Sequence, residues 1–119
     1  MKSGPERKDL LQLAGKLEKA AKASKAPVWQ RVAELLLKAR RRRVEVNLSK
    51  IDAYSKEGDT VVVPGKVLSI GSLSHKLTIA CFSHSAAVSQ KVSASGATLL
   101  PISKLLEQNA SGKNVKIIV

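Results

Sequence analysis

Apolar positions recur along this chain with two different periods. In the first third, Leu10, Leu13, Ala14, Leu17 and Ala21 fall three or four residues apart. Lys8, Gln12, Lys16 and Lys19 take the other side, a pattern that predicts an amphipathic helix. Ser3 and Glu6 stand in capping-box spacing ahead of it, and Pro5 lies in the first turn, where proline is tolerated. Residues 22–27 read as a connection. A second helix is expected from Pro27, with Val28, Val32, Leu35, Leu36 and Ala39 as its apolar stripe. Arg31, Glu34, Lys38 and Arg41 lie along its polar face, and Glu34 and Lys38 have the favourable i, i+4 order. Two such helices with a short connection predict an antiparallel hairpin.

The period shortens after Arg43. Val44, Val46 and Leu48 alternate with Glu45, Asn47 and Ser49, which predicts a strand. Glu57, Gly58 and Asp59 form a turn. Residues 60–63 and 66–70 are β-rich and are separated by Pro64-Gly65, a common breaker pair. Residues 77–82 predict another strand, and Ser83 is placed to cap a helix running to about Ser95, with Gly96 just past its end. A strand over 97–100, a short helix over 102–108 and a strand over 115–119 complete the pattern. Strands alternating with helices argue for an α/β fold class. The expected organisation is one domain, 1–119, with a basic helical hairpin over 1–43 and an α/β core over 44–119.

Composition adds one decisive fact to this outline. The 119 residues are 44% apolar, enough for a real core, but only 3% aromatic, so that core must be built from Val, Leu, Ile and Ala. Against 9 acidic residues stand 21 Lys and Arg, a net charge of +12. Such an excess opposes compaction by self-repulsion and points to a polyanionic partner, of which nucleic acid is the commonest, although a membrane surface or an acidic protein could also supply the negative charge. Residues 1–50 carry net +9 and residues 51–119 net +3, so the first part is expected to face the anion. The one cysteine, Cys81, cannot make an intramolecular disulfide, which suits a reducing compartment. The charged N-terminus lacks a signal-peptide core, and no run approaches the roughly 20 apolar residues of a membrane span. The expected location is the cytoplasm.

The strongest local feature is KARRRRVEVNLSK, residues 38–50. Arg40, Arg41, Arg42 and Arg43 cannot share one helix face at about 100° per residue, so they splay around the end of the second helix. Guanidinium forks bind phosphate oxygens in pairs, which suits several phosphates of a folded RNA. A solvated helix end, where cations favour the dipole, is the plainer reading, but four in a row exceeds what capping needs. Arg41 and Arg42 are the first candidates, with Lys38, Arg40, Arg43, Asn47, Ser49 and Lys50 as neighbours. Lys8, Lys16 and Lys19 are phosphate contacts or an ordinary polar face.

Other chemistry is poorly supported. Pro64-Gly65-Lys66 could bring backbone close to a phosphate, but as local sequence it is a plain turn, and no Gly-x-x-x-x-Gly-Lys-Ser/Thr loop is present. Cys81 and His84 have ligand-like spacing with His75 nearby, yet one Cys and two His are too few for a structural zinc site. Cys81 is expected in the core and His75, beside Lys76, in a polar connection. A Cys–His nucleophile would need an orienting carboxylate, and none stands beside them in sequence. Glu57 and Asp59 are better explained by their turn than by acid–base work. Trp29, Tyr54 and Phe82 are too scattered for base stacking, which favours structured over single-stranded RNA.

With these residues in view, the chain resembles the large-subunit ribosomal protein L-eighteen-e family of archaea and eukaryotes, related in its core to bacterial ribosomal protein L-fifteen. RRRRVEVNLSKI, then GDTVVVPGKVLSIGSLSHKLTIACFS, then Gly96 with ATLLPISKLLEQN carry the likeness, which covers essentially the whole chain. It implies a non-enzymatic, cofactor-free and metal-free constituent of the ribosome, monomeric within it, whose partners are large-subunit ribosomal RNA and neighbouring large-subunit proteins. It also implies an irregular β-β-α superhelical core. Pro64, Gly65, Lys66, His75 and Lys76 gain a role in RNA binding from it. The length suits an archaeal member. Val88 departs from the family pattern, where a small residue is expected on the helix after Ser83. Two rival classes are a free-standing DNA-binding or nucleoid protein, which needs a dimer interface or a helix for the major groove, and an enzyme acting on RNA through Cys81, His84 or the Glu57–Asp59 turn.

Overall fold

A computed structural model of the chain describes residues 7–25, 27–38, 44–108 and 115–119. Its elements run α1 (Arg7–Ser24), α2 (Pro27–Lys38), β1 (Val44–Asn47), α3 (Leu48–Ala53), β2 (Thr60–Leu68), β3 (Thr78–His84), α4 (Ala86–Ala94), β4 (Thr98–Pro101), α5 (Ile102–Gln108) and β5 (Val115–Ile117). The fold is α/β: a parallel sheet preceded by two helices. The Ser3–Glu6 capping box lies outside the described residues. Helix α1 extends through Lys22, Ala23 and Ser24, which were expected in the connection, and Lys25 ends it with φ at 51°.

The five strands pair entirely in parallel, in the order β1-β2-β3-β4 with β5 also on β2. Strands β1 and β5 share one edge of β2: β5 lies beside Thr60, Val61 and Val62, whereas β1 lies beside residues 65–68. Between these two stretches the β2–β3 register shifts, with Val63 opposite Cys81 but Lys66 opposite Ser83. Pro64-Gly65 therefore does not separate two strands, as its breaker character suggested. It occupies an irregularity inside one nine-residue strand, where the missing proline N–H falls in an interrupted ladder.

Parallel sheets need cover on both faces, and alternation along β2 and β3 supplies it. Val62 and Ala80 point to one layer with Leu13, Leu17, Trp29, Val32, Leu36, Ile102 and Leu105. Val61, Val63, Ile79 and Cys81 point to the other with Leu48, Ile51, Val88 and Val92. Helices α1, α2 and α5 thus cover one face, and α3 and α4 the other. The crossovers through α3 and α4 step across the sheet in one direction, and the crossover through α5 steps back on the opposite face. One handedness of crossover requires this arrangement. Each fully buried Val, Leu or Ile side chain contributes about 1.5–3 kcal/mol.

Three further expectations are corrected. The alternation of Val44, Val46 and Leu48 ends as a strand at Asn47, because Leu48 and Ile51, one helical turn apart, both bury as α3. Trp29, absent from the expected stripe of the second helix, is fully buried between α1 and the sheet face. Ser83 belongs to β3, and Ser85 precedes α4 instead. Gly96 fulfils its expected role. With φ at 76° it follows α4, its N–H bonds Ser93 O at 3.1 Å, and Ala97 N–H bonds Val92 O at 3.1 Å, the paired closure of a Schellman end. Val88 is fully buried under α4, so the larger side chain is accommodated by packing.

Candidate nucleic-acid interface

The expected site residues are distributed over both ends of the sheet rather than gathered in one cluster. Lys38 is the last residue of α2, and Arg40, Arg41, Arg42 and Arg43 lie outside the described residues. Their flanks are fixed: α2 ends before them, and Val44 follows, paired with Gly65. Asn47 closes β1 at the carboxyl end of the sheet, where its Oδ1 is buried without a hydrogen-bond partner among the described residues. Ser85, before α4, leaves Oγ in the same condition. Ser49 opens α3, its N–H bonding Ile70 O at 3.1 Å. Here Gly71, at φ 93°, comes so close that a Cβ on it would meet the Ser49 Cβ at 2.6 Å and the Ser49 nitrogen at 2.7 Å. That contact permits only glycine and ties the loop after β2 to the start of α3.

Pro64 and Gly65 are buried in β2, while Lys66 is half-exposed, paired across the sheet with Glu45 and Ser83. Lys76 is exposed at the amino end of β3, its side chain running past Gly96. His75 is half-buried in a network absent from the sequence reading. Its Nε2 lies 2.9 Å from Ser55 Oγ, its Nδ1 lies 3.3 Å from Asp52 Oδ1, and Ser74 donates to that same carboxylate oxygen through both N–H and Oγ at 2.8 Å. Asp52 is therefore held below the usual carboxylate range, first by the Ser74 N–H, then by the Ser74 hydroxyl and the His75 ring. Nothing signals this set in sequence, because Asp52 and His75 are 23 positions apart and meet only when α3 returns beside the β2–β3 connection.

An Asp–His–Ser alignment invites comparison with a nucleophile relay, and its hydrogen bonds argue against one. Ser55 is buried, and its hydroxyl proton is donated to Ile51 O at 2.6 Å. The oxygen therefore accepts from His75 Nε2–H rather than giving up a proton to it. Cys81 is buried in the core as expected, and burial alone pushes its thiol up to about 12. His84 is exposed, with Nδ1 2.9 Å from Ser85 O. Asp59 is held below its usual range by Lys116, at 2.9 Å, and by the Lys56 N–H. No cluster of three or more metal-ligating side chains is found among the described residues, and no described helix is long and apolar enough to cross a membrane.

The described cations fall into two groups. Lys50 donates to Val119 O, Lys91 to Ser69 O at 2.6 Å and Gly71 O at 2.9 Å, Lys116 pairs with Asp59, and Arg31 lies 3.5 Å from Glu34. Lys16, Lys19, Lys22, Lys25, Lys56, Lys76 and Lys104 are exposed and Lys66 half-exposed, and their side chains make no hydrogen bond or ion pair to another described residue.

A small α/β protein with a large surplus of positive charge and a buried cysteine is the class that fold and surface define. Comparison with known proteins gives this class a family. The chain is 40% identical to large ribosomal subunit protein eL18 of Methanococcus maripaludis over 118 residues, 99% of this chain and 96% of that one. It is 41% identical to eL18 of Pyrobaculum aerophilum over 117 residues, 98% of this chain and 96% of that one. With eL18 of Archaeoglobus fulgidus it shares 41% over 118 residues, 99% of this chain and 98% of that one. No protein-family model matches the chain. The chain belongs to the eL18 family of large ribosomal subunit proteins.

Proposed function

We propose that this protein is a structural, non-catalytic constituent of the large ribosomal subunit that binds folded ribosomal RNA through its basic residues and stabilises it. The observation that carries the reading is identity of about 40% across nearly the full length of relatives that bear that subunit's name. The net charge of +12, much of it on side chains with no partner among the described residues, supports a polyanionic ligand. On this reading residues 1–119 form one domain and act as a monomer within the particle, beside neighbouring large-subunit proteins in the cytoplasm. Residues 1–43 serve as a basic helical hairpin, and residues 44–119 as a β-β-α superhelical core that presents them. A core layer shared by α1, α2, β2, β3 and α5 favours the single domain.

Arg40, Arg41, Arg42 and Arg43, with Lys38, Asn47, Ser49 and Lys50, form the leading contact set. Lys66, His75 and Lys76 add a second. Pro64 and Gly65, being buried, act by shaping β2 under Lys66. Two experiments test the reading. Tagged protein expressed in an archaeon should cosediment with the large subunit through a sucrose gradient and stay there in moderate salt. Recovery only in light fractions would sink it. The variant with Ala at positions 40–43 should stay folded and bind rRNA with a salt slope shallower by about 3–4, since each neutralised phosphate contributes about 0.9. An unchanged slope would make the run a solvated helix end.

A further inference from the structure

Helix α1 carries a glycine where no described residue asks for one. Gly15 lies mid-helix between Arg7 and Ser24, its φ is not positive, and a Cβ added to it would meet no described residue within 4 Å. Glycine at an exposed helix interior weakens the folding equilibrium roughly fivefold against alanine. The buried side of α1 is set by Leu13, Ala14, Leu17 and Ala21. Helical spacing puts Leu11, Gln12, Lys19 and Lys22 on the opposite face around Gly15, with Lys16 on its flank, and all five are exposed. The three lysines have no partner among the described residues. Glu18, half-buried at the border, is the one acidic group among the described side chains of α1.

We propose that this face seats a ribose-phosphate strand of the ribosomal RNA, with Gly15 as its floor. The absent side chain lets the strand approach the helix backbone, and Lys16, Lys19 and Lys22 then reach successive phosphates, with Gln12 as a neutral donor. Charge complementarity selects the occupant: an apolar or basic protein surface would leave three cations unpaired, whereas a phosphate strand neutralises them. The inference rests on the RNA-binding reading above and names a contact surface separate from the arginine run.

The distinguishing feature is a pair of effects with opposite signs. Gly15→Ala and Gly15→Gln should stabilise the free protein, raising Tm by roughly 4 °C for the alanine variant. Both should weaken binding to deproteinised large-subunit rRNA from Methanococcus maripaludis, measured by filter binding over a potassium chloride series. The loss should grow with side-chain size, from at least about fivefold for alanine, which is about 1 kcal/mol. The Lys16→Gln, Lys19→Gln, Lys22→Gln triple variant should flatten the salt slope by about 2–3. Wild-type affinity in both glycine variants, with an unchanged slope in the triple variant, would overturn the inference and leave α1 a solvated helix. Failure of the unsubstituted protein to bind this RNA would instead overturn the RNA-binding reading on which the inference rests.

Discussion

Replacing Gly71 with alanine isolates the contact that ties the β2–β3 connection to α3. An L-residue held near φ 93° costs about 1–2 kcal/mol. The new Cβ would also stand 2.6 Å, 2.7 Å and 2.9 Å from Cβ, N and Cα of Ser49, two of them backbone atoms that cannot swing away. Relieving that overlap costs about 1–3 kcal/mol, as overpacking does elsewhere. Displacing α3 also stretches the Ser49 N–H bond to Ile70 O, worth about 0.5–1.5 kcal/mol. The stiffer unfolded chain of the variant returns about 0.4–1 kcal/mol. The net loss is about 3–4 kcal/mol, which at a typical urea dependence lowers the unfolding midpoint by roughly 2 M. Gly58→Ala is the control. Its φ is 85°, but a Cβ there meets nothing within 4 Å, so only the conformational part remains, about 1 kcal/mol. Equilibrium urea unfolding followed by circular dichroism compares the two. Equal midpoint losses would refute the close approach as the reason for glycine at position 71.

Two further outcomes follow from the hydrogen bonds. Asp52 is held below its ordinary range in the fold, so its contribution is fully present above the unfolded carboxylate value and is lost as pH falls through the lowered one. Asp52→Asn should cost about 1 kcal/mol at neutral pH and flatten the acid limb of a stability–pH curve; an acid limb identical to that of the parent would remove Asp52 from the account. Lys91→Met should remove two donations into the loop at Ser69 and Gly71 and destabilise by about 1 kcal/mol, given its exposure, while leaving the salt slope of RNA binding untouched. A flattened slope would show that this lysine faces RNA after all.

Where local pattern and tertiary demand agreed, the sequence was readable. The second helix starts at Pro27 as expected, the short helix over Ile102–Gln108 matches residue for residue, and Gly96 closes α4 by the geometry its position suggested. Where they disagreed, the tertiary demand won. Six residues suffice for α3 because Leu48 and Ile51 bury against a finished sheet, not because the segment favours helix; their spacing of three was the available signal, masked by the alternation before it. Pro64-Gly65 reads as a break to any local rule, yet neighbours on both edges of β2 hold the strand through it. The surplus of charge was plain from composition. Which cations find acceptors within the chain was not, since the acceptors of Lys50 and Lys91 lie 69 and 20–22 positions away.

That division among the cations is what connects fold to function. A net charge of magnitude about 2–8 keeps a small domain soluble, and this chain exceeds it while paying in self-repulsion. Lys91, Lys116 and Arg31 find partners within the chain and so are part of the scaffold. Lys16, Lys19 and Lys22 sit on a helix whose other side is locked into the core by Leu13 and Leu17, so their places along it are fixed although no described residue compensates their charges. A fixed array of unpaired cations is repulsive in the free protein and becomes favourable only when an equally ordered array of anions meets it. Folded RNA supplies such an array, because its phosphates are held in place by base pairing. On the proposed RNA-binding function, the same rigidity that makes the surplus costly in solution makes the complex specific in shape, without any side chain having to read a base.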